Sequence, residues 1–398
     1  MLETSARIEP ALFEEHLPEQ LVNLAGDLSG AAHELGRALH PQTRAELAGM
    51  VRVLNSYYSN LIEGHNTRPR DIERVLSGDL EAVEPAKRSL AIEAGIHVRL
   101  QERIDLHAEN STLPDTTSVE FLTGLHHDFY TDMPMDLRTV RGTNGREVVV
   151  EPGAMRSRLE HEVAVGDHLP PSSERVADFM DAFECRYRAP RKPISRILAM
   201  PAAHHRFNYI HPFPDGNGRV SRLMSHAMAH EAGIGAGGLW SISRGLSRGL
   251  HERSEYKRMM AHADMARQGD RDGRGNLSER ALIEFSEWFL AVALDQVRFV
   301  SALFALNTLE ERLAKLVERL ELDPRGKRIL STVLRYGDMP RGEASTATGA
   351  KERTARTILS ELTGVGLLRS DGPKTPVRLA FPRDHHEVLF PSLFADGY

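Results

Sequence analysis

The sequence predicts a mainly α-helical protein with one short strand-bearing segment and a compositionally distinct C-terminal module. Three observations lead there. Ala, Leu, Glu and Arg are frequent while aromatic residues make up only 6%, which leans towards helix. Most of the chain mixes apolar and charged residues in helical patterns, and only residues 138–171 break short Val runs with glycines. The stretch Arg325–Phe381 holds eleven basic residues against five acidic ones, a net +6, so that with −6 overall the remainder carries −12. Such an asymmetry marks a separate module.

With 398 residues, 41% hydrophobic and 27% charged, the chain can build two or three domains with cores of their own. A single cysteine, Cys185, rules out a disulfide framework within the chain and suits a reducing compartment. The first thirty residues have neither a basic n-region nor an apolar h-region, and apolar runs such as Trp288–Leu294 are far shorter than the roughly 20 residues of a membrane span. A cytoplasmic protein with no membrane partner is expected.

Residues 15 to about 105 read as successive helices, including Ser89–Leu106. Turn formers at Glu109–Thr117 end them, and Ser118 begins a new helix. The 138–171 segment, with Gly142, Gly145 and Gly153 around Val148–Val150 and with Val163 and Val165 before Pro170–Pro171, fits two short strands and turns. Helical patterning returns at Ser173–Tyr187, at Ile194–Ile210 with Pro201 expected to kink it, and from Val220 to about Glu321. The tail offers a helix, a Ser/Thr-rich turn near Gly349, a helix at Lys351–Leu362 and a Gly-Pro hairpin leading to Val377–Phe381.

The chemistry concentrates in His211–Arg222, HPFPDGNGRVSR. Gly216 and Gly218 flank Asn217 at the start of a strong helical run, where exposed N–H groups and the helix dipole make an anion cradle. Arg219 and Arg222, three apart, share a face of the first turn, and two guanidinium forks there suit a polyphosphate. Asp215 adds a hard oxygen ligand where Mg²⁺ would be needed. His211 titrates near neutrality and can take a proton from an attacking hydroxyl. Taken singly, a histidine near a helix start is usually structural and Gly-Asn-Gly is merely a turn; it is the combination that points to transfer at a phosphoryl centre.

The same stretch matches every fixed position of the Fic-family signature H-x-F-x-(D/E)-G-N-G-R-x-x-R. The resemblance extends from about Val119 to Asp270 at the level of a Fido domain. It implies a helical Fic/Fido core with a small β-hairpin flap, placed at 115–270 between an N-terminal helical region (1–110) and a helical connector (271–322), with the C-terminal module at 323–398. It further implies a nucleotidyltransferase, a protein adenylyltransferase that moves AMP from ATP to a Ser, Thr or Tyr hydroxyl of a target protein, itself included. His211 would be the base, Asp215 would hold Mg²⁺, and Gly216, Asn217 and Gly218 would cradle the phosphates. Arg219 and Arg222 would grip the β and γ groups, and Phe213 would point into the core. The segment Glu162–Pro171 resembles the family flap, which would set Val165, Gly166, Asp167 and His168 over the nucleotide. Ser254–Asp270 resembles the helix lining the base pocket, with Tyr256 as the contact. Lys257 and Asp264 stand where some members have Tyr and Asn, which leaves UMP or GMP donors open. Phosphocholine and phosphate transfer fit less well, given both arginines and Gly218.

Ser59–Gly64, SNLIEG, matches the family's inhibitory pattern (S/T)-x-x-x-E-(G/N). Ser59 and Glu63, four apart, share a helix face, and the resemblance implies an inhibitory helix at about 52–64 whose Glu63 pairs with Arg222 in the space of the γ-phosphate. A solvated Glu before a glycine C-cap gives the same letters. In some relatives this Glu positions a water for AMP removal, so de-AMPylation is an alternative activity.

Other patterns fail. Gly233–Gly238, GIGAGG, follows a helix where a dinucleotide site needs a strand. Asp270–Gly275 breaks the calcium-loop pattern at Arg274, and His204 and His205 point apart on their helix. The tail resembles a winged helix-turn-helix. Lys351, Arg353 and Arg356 could touch DNA phosphates, though such modules also bind proteins or form homodimers. A DNA-binding regulator with the His211 site as nucleotide sensor is therefore the alternative to the enzyme.

Overall fold

The computed structural model describes residues 3–12, 17–141, 145, 147–166, 168–188 and 192–394. It is mainly helical. The N-terminal third contributes α1 (Glu19–Arg37), α2 (Pro41–Ile62), α3 (Pro69–Leu76) and α4 (Arg88–Glu109). The middle holds α5 (Val119–Thr131), strands β1 (Thr139–Arg141) and β2 (Glu147–Val149), and α6 (Val176–Tyr187). Then come α7 (Pro193–Ile210), α8 (Asn217–Glu231), α9 (Ile242–Arg248), α10 (Glu255–Ala263), α11 (Glu279–Leu303) and α12 (Leu306–Arg319). The tail comprises α13 (Gly326–Tyr336), β3 (Asp338–Met339), α14 (Ala344–Thr348), α15 (Glu352–Gly364), β4 (Leu368–Arg369), β5 (Val377–Leu379) and α16 (His386–Leu389).

Local chemistry explains the boundaries that matter. Pro41 and Pro193 sit at first helical positions, where a missing N–H costs nothing. Ser118 caps α5 by accepting from Phe121 N, and Ser278 caps α11 by accepting from Ala281 N. Pro201 lies inside α7, which continues uninterrupted to Ile210. β1 and β2 form an antiparallel hairpin with Val140 opposite Val148. Val163 and Val165, expected to alternate in a strand, do not form one: Val165 makes a single bridge to His168. The prolines at 170 and 171 leave too short a segment for a ladder.

Packing ties the regions into one continuous apolar core that runs from Ile8 to Leu393. α7 and α8 lie side by side at its centre, α2 and α4 pack together and α4 also touches α8, while α1 lies along α11. In the tail, β5 is the middle strand of an antiparallel sheet ordered β3-β5-β4, behind α13–α15. This module leans on α2. Thr43 Oγ1 donates to Leu334 O, Tyr58 Oη donates to Leu393 O, and Glu46 pairs with Arg369 and Arg378. No single helix among the described residues is long and apolar enough to cross a membrane.

Candidate active site

The site is a tight connection between two packed helices. α7 ends when His211 turns into the left-handed region at φ +52°, its N–H still donating to Phe207 O. A non-glycine residue there needs support, and Arg156 supplies it from below. Its buried guanidinium donates to His211 O at 2.7 Å, Ile210 O at 3.2 Å, Pro171 O at 2.9 Å and Ser173 Oγ at 3.0 Å. Phe213 is fully buried with its ring stacked on His126, centroids 3.9 Å apart. Asn217 closes the turn: its Oδ1 accepts from Phe213 N and its Nδ2 donates to Phe213 O. The Asn217 side chain is thus consumed by the loop, leaving its backbone for an anion. Gly216 is at φ +82°, and a Cβ there would stand 2.7 Å from the Tyr130 ring, so only glycine fits.

α8 starts at Asn217, and its first two turns carry both arginines, each met by an acid from the N-terminal helices. Arg222 donates from Nε to Ser59 Oγ at 2.9 Å and from Nη2 to Glu63 Oε1 at 2.5 Å. Glu63 is the residue that ends α2. Burial alone would raise its carboxyl, but Arg222 and then Arg219 outweigh that and hold it below the ordinary range. Arg219 forms an ion pair with Glu93, buried in α4, and reaches Asp215 Oδ2 at 3.6 Å. Its charge is stabilised further by these acids despite the burial that opposes it. His65 Nδ1 lies 2.8 Å from Glu93, a contact that raises the His65 pKa.

Asp215 is the exposed member, with 40% of its side chain open to solvent. Burial of its inner face works against ionisation, yet Arg219, the Tyr130 hydroxyl (2.6 Å to Oδ2) and the Gly216 N–H keep the carboxyl below the usual range. An ionised, hard, solvent-facing oxygen donor fits a divalent cation such as Mg²⁺. His211 is pushed down to about 4, by burial first and by the cationic Arg156 second. At neutral pH its imidazole is uncharged and able to accept a proton.

The segment Glu162–Pro171 is pinned at His168, whose Nε2 meets Tyr209 O at 2.8 Å and whose Nδ1 lies 3.3 Å from Asp264. Gly166 takes φ +60° and Val165 is half exposed; Asp167 lies outside the described residues. Tyr256, expected to line a base pocket, is largely buried beside Arg222: its hydroxyl pairs with His204 Nε2 at 2.8 Å and its ring stacks on Trp288. His204 and His205 do point apart, to Ser225 and Asp264 respectively.

The structure brings His211, Asp215, Gly216, Gly218, Arg219, Arg222, Ser59 and Glu63 together. Sequence reading missed Arg156, Tyr130 and Glu93. Each acts on the site from a distant segment, and no local pattern around them gives that away.

Residues 116–229 match the Fic/DOC family. The chain is 31% identical over 182 residues to a protein from Nematostella vectensis named protein adenylyltransferase Fic, an alignment that covers 45% of this chain and 37% of that protein. It is 37% identical over 73 residues to a Culex quinquefasciatus protein of the same name, covering 18% and 15% of the two. The chain therefore spans well under half the length of these relatives. In structure it resembles a Fic family protein from Desulfovibrio desulfuricans G20, with a TM-score of 0.52 at 18% identity over 92% of this chain and 98% of that one.

Proposed function

From the premise that this is a Fic-family protein, its domain spanning residues 116–229, we propose that it is a protein adenylyltransferase held quiet by Glu63. The observation that carries the reading is a neutral imidazole set beside an anion cradle. His211 stands at the end of α7, and the N-terminus of α8 opens six residues later with Arg219 and Arg222 on its first two turns.

In the proposed reaction, a Ser, Thr or Tyr hydroxyl of the target loses its proton to His211 as its oxygen bonds to the α-phosphorus of ATP. The bond from that phosphorus to the bridging oxygen breaks, and pyrophosphate leaves with its electron pair. The N–H groups at the start of α8 and the two guanidiniums receive the charge that builds on the phosphate oxygens. Mg²⁺ bound at Asp215 would neutralise the same oxygens. Arg156 keeps the His211 backbone in its left-handed turn and so aims the imidazole.

Glu63 occupies the guanidinium that a γ-phosphate would use, which supports autoinhibition. Incubation with α-labelled ATP tests both ideas. Glu63→Gly should raise label transfer at least ~10-fold over wild type, and His211→Ala in the same background should abolish it. Equal labelling with and without the His211 imidazole would discard the enzyme reading.

For the tail we infer a winged helix from the α13–β3–α14–α15–β4–β5 order and its three-stranded sheet. Arg353 and Arg356 are exposed on α15. Salt-dependent retention on duplex DNA, lost in Arg353→Ala/Arg356→Ala, would favour a DNA-binding role.

A further inference from the structure

Below the phosphate-binding turn, α8 carries a second constellation. His226 and His230, four residues apart, lie on one face of the helix, with ring centroids 4.8 Å apart and planes nearly perpendicular. Both direct Nε2 at the same atom, Oδ1 of Asp105 on α4, at 2.6 and 3.0 Å. All three donor atoms fall within 4.8 Å of one another. Asp105 and His226 are buried, and His230 sits at the edge, where a small ion could enter. The other carboxylate oxygen of Asp105 accepts from Arg52 Nε at 2.8 Å, and Arg52 is in turn balanced by Glu102 at 2.9 Å. A ligand carboxylate oriented by a partner behind it is the arrangement metal sites use.

The loop that failed as a dinucleotide motif is fitted to this cluster. A Cβ at Gly235 would lie 2.4 Å from His230 Nδ1, and one at Gly238, which is at φ +77°, would lie 3.1 Å from Asp105 Oδ2. The glycines of GIGAGG let the backbone close over the imidazole and the carboxylate.

We propose that Asp105, His226 and His230 form a binding site for a borderline divalent cation, Zn²⁺ by preference, with water completing a tetrahedron. Two imidazole nitrogens and one carboxylate oxygen exclude Mg²⁺ and Ca²⁺, which want oxygen throughout. Ligand atoms of a tetrahedral zinc site stand about 3.3 Å apart, so the Nε2–Oδ1 gaps need open only slightly as the ion replaces the hydrogen bonds. Both rings meet Asp105 Oδ1 through Nε2, so the proton each places there must move to Nδ1 or leave to solvent as the ion binds. Neutral imidazole and ionised carboxylate are the forms that bind metal. The ion would tie α4 to α8 one turn beyond Arg222 and, through Arg52, brace α2. Its role is structural and independent of nucleotide.

The test uses the full-length chain stripped with chelator. Co²⁺ should bind one per chain with the intense visible bands of tetrahedral N/O coordination, and Zn²⁺ should displace it. At a thousandfold excess over Kd, Zn²⁺ should raise the melting midpoint by roughly 5 °C. His230→Gln, at the rim of the cluster, and Asp105→Asn should each weaken binding ~100-fold or more. Absence of tetrahedral Co²⁺ bands in the wild type would overturn the proposal whatever the variants do. So would unchanged Zn²⁺ binding in a His230→Gln protein whose circular dichroism is native.

Discussion

Arg219 and Arg222 stand three residues apart on one helical turn, and each meets a glutamate, yet the two pairs are built differently. Glu93 sits inside α4, 1% exposed, with His65 behind it. Glu63 sits at the end of α2, its side chain 31% exposed, followed by Gly64 at φ +86°. An acid in mid-helix cannot leave without moving the helix, whereas one at a helix terminus can swing away by fraying a single turn. The contrast separates a partner of Arg219 fixed within a helix from a partner of Arg222 at a helix end.

Breaking the fixed pair should have the largest effect. Glu93→Ala leaves Arg219 buried without its counter-ion and should cost about 3–5 kcal/mol, read from denaturant unfolding. A loss below ~1 kcal/mol would erase the distinction. Glu63→Gly should cost less than Glu93→Ala while raising label transfer, because Arg222 keeps its bonds to Ser59 Oγ and Ser59 O and the exposed helix end can admit water in place of the carboxylate. Acid should act on the core next. His211, His126 and His386 are pushed down to about 4, and His97 and His204 to about 3, by burial first. Between their folded values and the ordinary value of about 6.5, the unfolded chain binds more protons. Stability therefore falls as pH drops from about 6.5 to 4, on the order of 1 kcal/mol per histidine per pH unit. His65, raised by Glu93, runs the other way, and its contribution is lost as pH rises through its folded value. Thermal melts across pH 4–8 would show both signs.

Gly218→Ala sharpens the contrast more finely. Its Cβ would stand 2.4 Å from Glu63 Oε1 and 2.9 Å from Arg222 Nη1. The substitution should loosen Glu63 and leave the Glu93 pair intact, visible as faster hydrogen exchange at the end of α2 and unchanged exchange in α4. Smallest of all, Glu46→Gln should lower stability by only ~0.5 kcal/mol, since its partners Arg369 and Arg378 are partly exposed on the surface.

How much of this was readable in advance follows from distance along the chain. The turn at His211–Arg222 was legible because Gly216, Asn217 and the arginines act within one helical turn. Glu63 was legible only through its spacing to Ser59. Glu93 was not, because an acid among apolar residues of α4 looks like any helical charge until Arg219, from more than a hundred residues later, arrives beside it. Arg156 hides for the same reason: four acceptors converge on it from two segments. The strand expected around Val163 and Val165 failed because alternation over three residues cannot override the prolines that follow.

The docking of the tail on α2 also bears on inheritance. One side of that helix presents Thr43, Glu46 and Tyr58 to the C-terminal module, while its last turn presents Ser59 and Glu63 to Arg222. A recombination event that exchanged the module for another would strand the Thr43 and Tyr58 hydroxyls at a foreign surface. The tail is therefore fitted to the same helix that carries Glu63.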